Sequence, residues 1–242
     1  MQNSSFISPK AIIDKSAYIG NNVRIFGATK IGPNCYIDDN VVIGYPSKNA
    51  LNEMVKSGNV PTDLIELDNR SNGETVLSGS CCVRFGSVIS VATYISDNVY
   101  CDINTQIGAF CKIGKNTQLL YGARIYNNVT IGEDCRIGGF CCNRSTIENK
   151  VSMFGELVHS YRNPVGGLIE PSPIVRSGAT VGWHSIVVGN VEIGQDVYVA
   201  AGAIVIKSVP KQHVVIGSQS KVIPISEWGG RLTREYKKRD DE

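Results

Sequence analysis

His159 is the side chain best placed by its type and surroundings to do chemistry in this 242-residue chain. It is one of three histidines and stands in NKVSMFGELVHSYRNPVGGLIEPSPI, followed by Tyr161, Arg162 and Asn163, with Gly166 and Gly167 loosening the backbone. Pro164, Pro171 and Pro173 keep such a segment out of regular strand. An unperturbed imidazole titrates near pH ~6.5, so it can take a proton from an amine or a hydroxyl at neutral pH. The bland alternative is a loop histidine held by one structural hydrogen bond. Tyr161 and Arg162, beside it, are candidate substrate contacts, and Asn143 is a third because it interrupts an aliphatic series. The eight cysteines offer less. Cys81 and Cys82 are adjacent, as are Cys141 and Cys142, and neither pair has the CxxC spacing of a metal or redox motif. His159, His184 and His213 contain no clustered pair, whereas a catalytic zinc takes about three protein ligands, so no metal is expected.

The elements that must position His159 are visible as a period of six. An aliphatic residue recurs at Ile13, Ile19, Ile25, Ile31, Ile37 and Ile43, and four positions after each comes a small or medium side chain: Ala17, Val23, Thr29, Cys35, Val41. Neither a helix nor an ordinary strand has this period. A triangular solenoid does: each hexad is one short strand plus a corner, the aliphatic residue points inward, and Gly, Asn and Asp suit the corners. The frame resumes from Leu77 to Ile137 and again from Val175 to Val205. The expected fold is therefore all-β, a left-handed parallel β-helix of about eight coils, well above the ~3 repeats a stacked core needs. Cys35, Cys81, Cys111, Cys135 and Cys141 fall in the small-residue slot and Cys101 in the aliphatic slot, where a reduced thiol serves as a small buried hydrophobe.

Two stretches break the frame, 45–75 and 149–174, and chemistry concentrates where a regular frame fails. The first holds ALNEMVKSGNV, a plausible helical turn, and then polar DNRSNGE; it reads as a loop that walls a substrate, braces a neighbouring subunit or merely decorates a corner. Residues 1–225 form one domain, and 226–242 a short capping helix with a charged tail, since the last coil of a solenoid otherwise exposes its core. Formal net charge is +2, from 24 basic and 22 acidic residues, so no one-sided basic field points to nucleic acid or to a membrane surface. With no signal-like N-terminus and no run approaching ~18 apolar residues, a cytoplasmic protein is expected.

From about Leu157 to Ile223 the chain resembles the hexapeptide-repeat acyltransferases, including the galactoside, maltose and xenobiotic acetyltransferases. LVHSYRNPVGGLIEPSPIVRSGATVGWHSIVVGNVEIG has the order of their catalytic-histidine loop and its return to the prism, and DVYVAAGAIVIKSVPKQHVVIGSQSKVI resembles their closing coil. The resemblance implies a homotrimer with sites between subunits, acetyl-CoA as co-substrate and His159 as the catalytic residue. It also implies that Ala201 and the Trp183 backbone line the pantetheine arm, with Lys207 near the nucleotide's phosphates and Lys221 near its adenosine end. The low profile of Ala200, Ala201, Gly202 and Ala203 suits a thin amide chain lying on the backbone. Thr180 and Trp183 depart from the family pattern, which has Trp and a small residue there, and Gly217-Ser218-Gln219-Ser220-Lys221 replaces its G-x-P-A-K.

The N-terminal part is more like β-helix N-acyltransferases of nucleotide-linked amino sugars. The expected activity is thus an acyl-CoA-dependent N-acetyltransferase acting on an amino sugar. The alternatives are O-acetylation of a saccharide or another small hydroxylated acceptor, and a non-catalytic β-helix scaffold. CoA binding separates the scaffold from the enzymes.

Overall fold

Hexads of this kind can bury their aliphatic residues only by stacking, and stacking is what they do. The computed structural model describes residues 5–160 and 171–217, and in it the chain winds as a three-faced parallel β-helix. The first face carries ten strands from Phe6–Ile7 to Ile204–Val205, the second nine from Ile12–Ile13 to Glu192–Ile193, and the third ten from Tyr18–Ile19 to Val214–Val215. Most strands are two residues long, the outer residue exposed and the inner one buried, as in Arg24–Ile25 and Lys30–Ile31. Each pairs in parallel with the strand one coil away, as Arg24 with Val42 and Ile25 with Ile43.

The inward column of Ile25, Ile37, Ile43, Ile89, Ile95, Ile107 and their counterparts is almost fully shielded from solvent. Each such side chain contributes roughly 1.5–3 kcal/mol of burial, against the conformational entropy of ordering its hexad. Corners turn through the left-handed region, where asparagine is tolerated better than most residues: Asn22, Asn34, Asn40, Asn98, Asn104, Asn116 and Asn128 have φ between 53° and 59°. Their amides also link coils, as Asn116 Nδ2 does to Asp134 Oδ1 at 3.0 Å.

The first face shows ten coils, against the eight expected. The difference comes mostly from 138–158. At Ile137 to Cys141, and again at Met153 to Leu157, the step between inward residues is four rather than six, so a strict hexad search loses the frame. Three consequences follow. Cys141 pairs with Ile125 and Leu157 in the inward strand position and is not in the small slot. Asn143 is a corner residue and interrupts nothing. The strands Ser152–Met153 and Glu156–Val158 belong to the prism, so the second departure starts after Val158 and not at 149.

The first departure begins after Tyr45 and ends at Val76, and holds two helices where one turn was expected: α1, Lys48–Lys56, and α2, Leu64–Asp68. Ser47 Oγ caps α1 by accepting from the Ala50 amide, and an Asp63 side-chain oxygen caps α2 by accepting from the Glu66 amide. Asp68, almost fully buried, accepts from Ser8 Oγ at 2.9 Å and from the Gly27 amide at 2.6 Å, and pairs with Lys10. The excursion is thereby tied to the first coils of its own chain. Among the described residues no helix is long and apolar enough to cross a membrane. The expected capping helix at 226–242 lies outside the described residues.

On the edge between the second and third faces, Arg176 makes two hydrogen bonds to Glu192, both 2.9 Å, and one to Glu148 at 2.7 Å. The Arg176 guanidinium holds both carboxyls below their ordinary 4.5. A depressed carboxylate pKa stabilises the fold above the unfolded value and loses that contribution as pH falls through the folded one. The difference in Tm between the native protein and Arg176→Met is therefore expected to be positive near pH 7 and to vanish once the pH drops well below 4.5. Thermal melts across that range check it, and a gap that persists in acid would mean that Arg176 acts through packing.

Candidate active site

His159 follows the strand Glu156–Val158, the eighth on the first face, and so stands on the trailing edge, where the chain leaves that face. Val158 pairs with Val188, and its carbonyl accepts from the Gly189 amide at 2.8 Å. Gly189 has φ +79°, and a Cβ there would come within 3.1 Å of Ser160 Cβ. A left-handed glycine thus lets the chain pass closely over the next coil as it carries the half-buried His159 outward. Tyr161 and Arg162 lie outside the described residues, as does Lys221.

Trp183 and Ala201 lie together on the leading edge of the same face, in successive corners between the third and first faces. The Trp183 carbonyl accepts from the Gly202 amide at 2.9 Å, which fixes the spacing of the two corners. Gly202 has φ +71°, and nothing lies within 4 Å of where its Cβ would be, so this corner presents bare backbone to solvent. The Trp183 indole stacks on Phe154, with centroids 5.5 Å apart and planes 17° from parallel.

Lys207 does not join them. It follows the strand Ile204–Val205 and stands on the trailing edge with His159, two coils on. The sequence stretch that resembles one closing coil is therefore divided between two edges. Within one chain, the width of the first face separates Trp183 and Ala201 from His159 and Lys207.

Asn143 also lies on the trailing edge, one coil from His159. Its Oδ1 accepts from the Asn127 amide at 2.9 Å, as Asn127 Oδ1 accepts from the Ala109 amide at 2.9 Å. It is a rung in a ladder that joins coils, and that bond accounts for the residue without a ligand.

The other candidate chemistries have plain structural explanations. His159, His184 and His213 stand on three different edges and do not converge, and among the described residues no group of His, Cys, Asp and Glu is arranged to hold a metal. Burial pushes the thiols of Cys101 and Cys111 up to about 12 and about 11, and Cys141 well above the ordinary range, so these do not supply thiolates near neutrality. Sequence reasoning missed Phe154, Glu156 and His184 as site neighbours. Phe154 and Glu156 sit where the hexad frame slips, and the sequence offers His184 only as a metal ligand.

Residues 110–142 match the family model described as bacterial transferase hexapeptide (six repeats). The chain is 27% identical over 194 residues to the bifunctional protein GlmU of Synechococcus elongatus, covering 74% of this chain and 42% of that protein. It is 38% identical over 77 residues to the serine acetyltransferase of Buchnera aphidicola subsp. Schizaphis graminum, covering 32% of this chain and 29% of that one. The structure of UDP-N-acetylglucosamine acyltransferase from Campylobacter jejuni aligns over 88% of this chain and 72% of its own, with 15% identity and a TM-score of 0.38. The chain thus spans less than half the length of these two curated relatives. The six-residue repeat, the three-faced parallel β-helix it builds and these sequence relatives all fit the hexapeptide-repeat acyltransferase superfamily.

Proposed function

We propose that this chain transfers an acetyl group from coenzyme A to the amino group of an amino sugar, carried on a nucleotide, in a site shared between neighbouring subunits of a cyclic trimer. The observation that carries the reading is the division of the candidate residues. His159 and Lys207 occupy the trailing edge of the first face, and Trp183 and Ala201 its leading edge, all within coils eight to ten. Threefold packing about an axis along the prism sets the trailing edge of one copy against the leading edge of the next. The pantetheine arm then runs over the Trp183 and Ala201 corners, and the imidazole meets the thioester at its end.

In this mechanism His159 accepts a proton from the acceptor amine as the nitrogen attacks the thioester carbonyl. An amide of the Trp183–Ala201 wall holds the developing oxyanion. Among the described residues neither of those two amides has a hydrogen-bond partner. The tetrahedral intermediate collapses with cleavage of the C–S bond, and the imidazolium returns the proton to the departing thiolate. No metal and no covalent acyl-enzyme enter. A hydroxyl acceptor is the second reading, favoured by the likeness to a serine acetyltransferase. The reaction belongs in the cytoplasm, where coenzyme A is at hand and cysteines stay reduced.

Calorimetric titration with CoA tests the reading, and a protein that binds no CoA would be a scaffold. The same titration tests Lys207. Lys207→Ala is expected to weaken CoA about tenfold and dephospho-CoA much less, because a lysine recognises phosphate as a point charge. Equal weakening of both would remove Lys207 from that role.

A further inference from the structure

The two four-residue steps have a spatial result. Both fall on the leading edge of the first face, in consecutive coils, at Gly138–Gly139 and at Phe154–Gly155. The corners on either side of the pair keep their full length, at Leu120–Ala123 and at Gly182–Ser185. Removing two corner residues from each of two stacked coils cuts a notch of about 170 Å³ into the edge. Its floor is backbone packed on backbone. A Cβ on Gly139 would run into the Gly155 carbonyl, and one on Gly155 would come within 2.5 Å of the Ser185 carbonyl.

The walls are aromatic and charged. Trp183 stacks on Phe154 at one end, with His184 beside it. At the other, the Arg124 guanidinium lies 5.5 Å from the Phe140 ring centre. Between them stands Glu156, whose amide donates to the Ser185 carbonyl at 2.8 Å and whose carboxylate, among the described residues, makes neither a hydrogen bond nor an ion pair. The notch is well below the ~300–1,000 Å³ of a pocket that swallows a whole drug-sized ligand, so it has room for one ring-sized group. Flat aromatic faces suit the apolar side of a sugar ring, and a carboxylate can only accept, so it selects N–H and O–H donors.

Position adds the functional link. Glu156 and His159 lie at the two ends of one strand, Glu156–Val158 and its continuation. In a cyclic assembly with its axis along the prism, every copy of that strand lies at the same height, so the notch of one subunit is level with His159 of the next. We propose that the notch is the acceptor subsite, which seats a single amino-sugar ring against Phe154 and Trp183 with Glu156 receiving its amino group. The inference rests on the shared-site reading above, from which it takes the facing imidazole.

Trp183 supplies a direct probe. In a Trp228→Phe background it is the sole tryptophan of the chain. Glucosamine is expected to change its fluorescence saturably, and glucose about tenfold more weakly. Glu156→Gln should weaken glucosamine by about tenfold, as loss of a hydrogen bond to a charged group does, and glucose much less, while leaving CoA affinity where it was. Arg124→Ala, an exposed substitution on the same wall, provides a second check and should weaken both sugars. Equal glucosamine affinity in the Glu156→Gln and parent proteins, or no saturable response, would overturn the subsite. CoA binding without sugar binding would discard the notch and keep the donor reading. Sugar binding without CoA binding would do the reverse.

Discussion

His159→Ala is expected to lower kcat by about 10²–10⁴-fold while CoA affinity stays within about twofold, the pattern of a lost general base and an intact donor site. The separation of the two effects follows from geometry. His159 stands on the trailing edge of the first face, whereas the corners proposed to carry the pantetheine arm stand on the leading edge and keep their Trp183–Gly202 hydrogen bond whatever residue 159 is. The substitution also spares the fold, because the bond that ties this point of the chain to the next coil runs from the Gly189 amide to the Val158 carbonyl and involves no side chain. Steady-state kinetics, with CoA titrated separately, checks both features. Turnover near that of the native protein would remove His159 from the chemistry.

The inward residues were legible in the sequence because a solenoid repeats one local problem. Every hexad must bury one aliphatic residue, so Ile25, Ile43, Ile89 and Ile107 announce themselves at fixed spacing and occupy equivalent places on the first face. The same regularity concealed the notch. Gly138–Gly139 and Gly155 shorten their corners, and a search for period six registers this only as lost frame, so by period alone Asn143 reads as a break and Cys141 as a small-slot residue. Deciding otherwise needs the stacking itself, which pairs Ile125 with Cys141 and Cys141 with Leu157. The site was legible as a set of residues but not as an arrangement. Trp183, Ala201 and Lys207 are near neighbours in sequence, yet each passage across a face moves the chain from one edge to another, so proximity along the chain says little about which edge a residue occupies.

That division among edges makes a sharp prediction about mixtures. His159→Ala and Ala201→Trp are each expected to abolish most activity, the first through the chemistry and the second because an indole at an exposed corner of bare backbone blocks the path of the pantetheine arm. If each site takes His159 from one subunit and the wall from the next, then in any mixed cyclic trimer one of the three interfaces joins an intact histidine to an intact wall, another carries both lesions, and the third is impaired by one. Random exchange at equal amounts makes about three quarters of the trimers mixed, so the mixture should recover about one quarter of native activity from two nearly inactive proteins. Mixing either variant with the double variant cannot create an intact pair and should recover nothing, which separates complementation from mere stabilisation. Subunit exchange is verified with differently tagged chains, and sedimentation reports the assembly. A fully active monomer, or exchange without recovered activity, would mean that the trailing-edge histidine and the leading-edge wall serve one site within one chain.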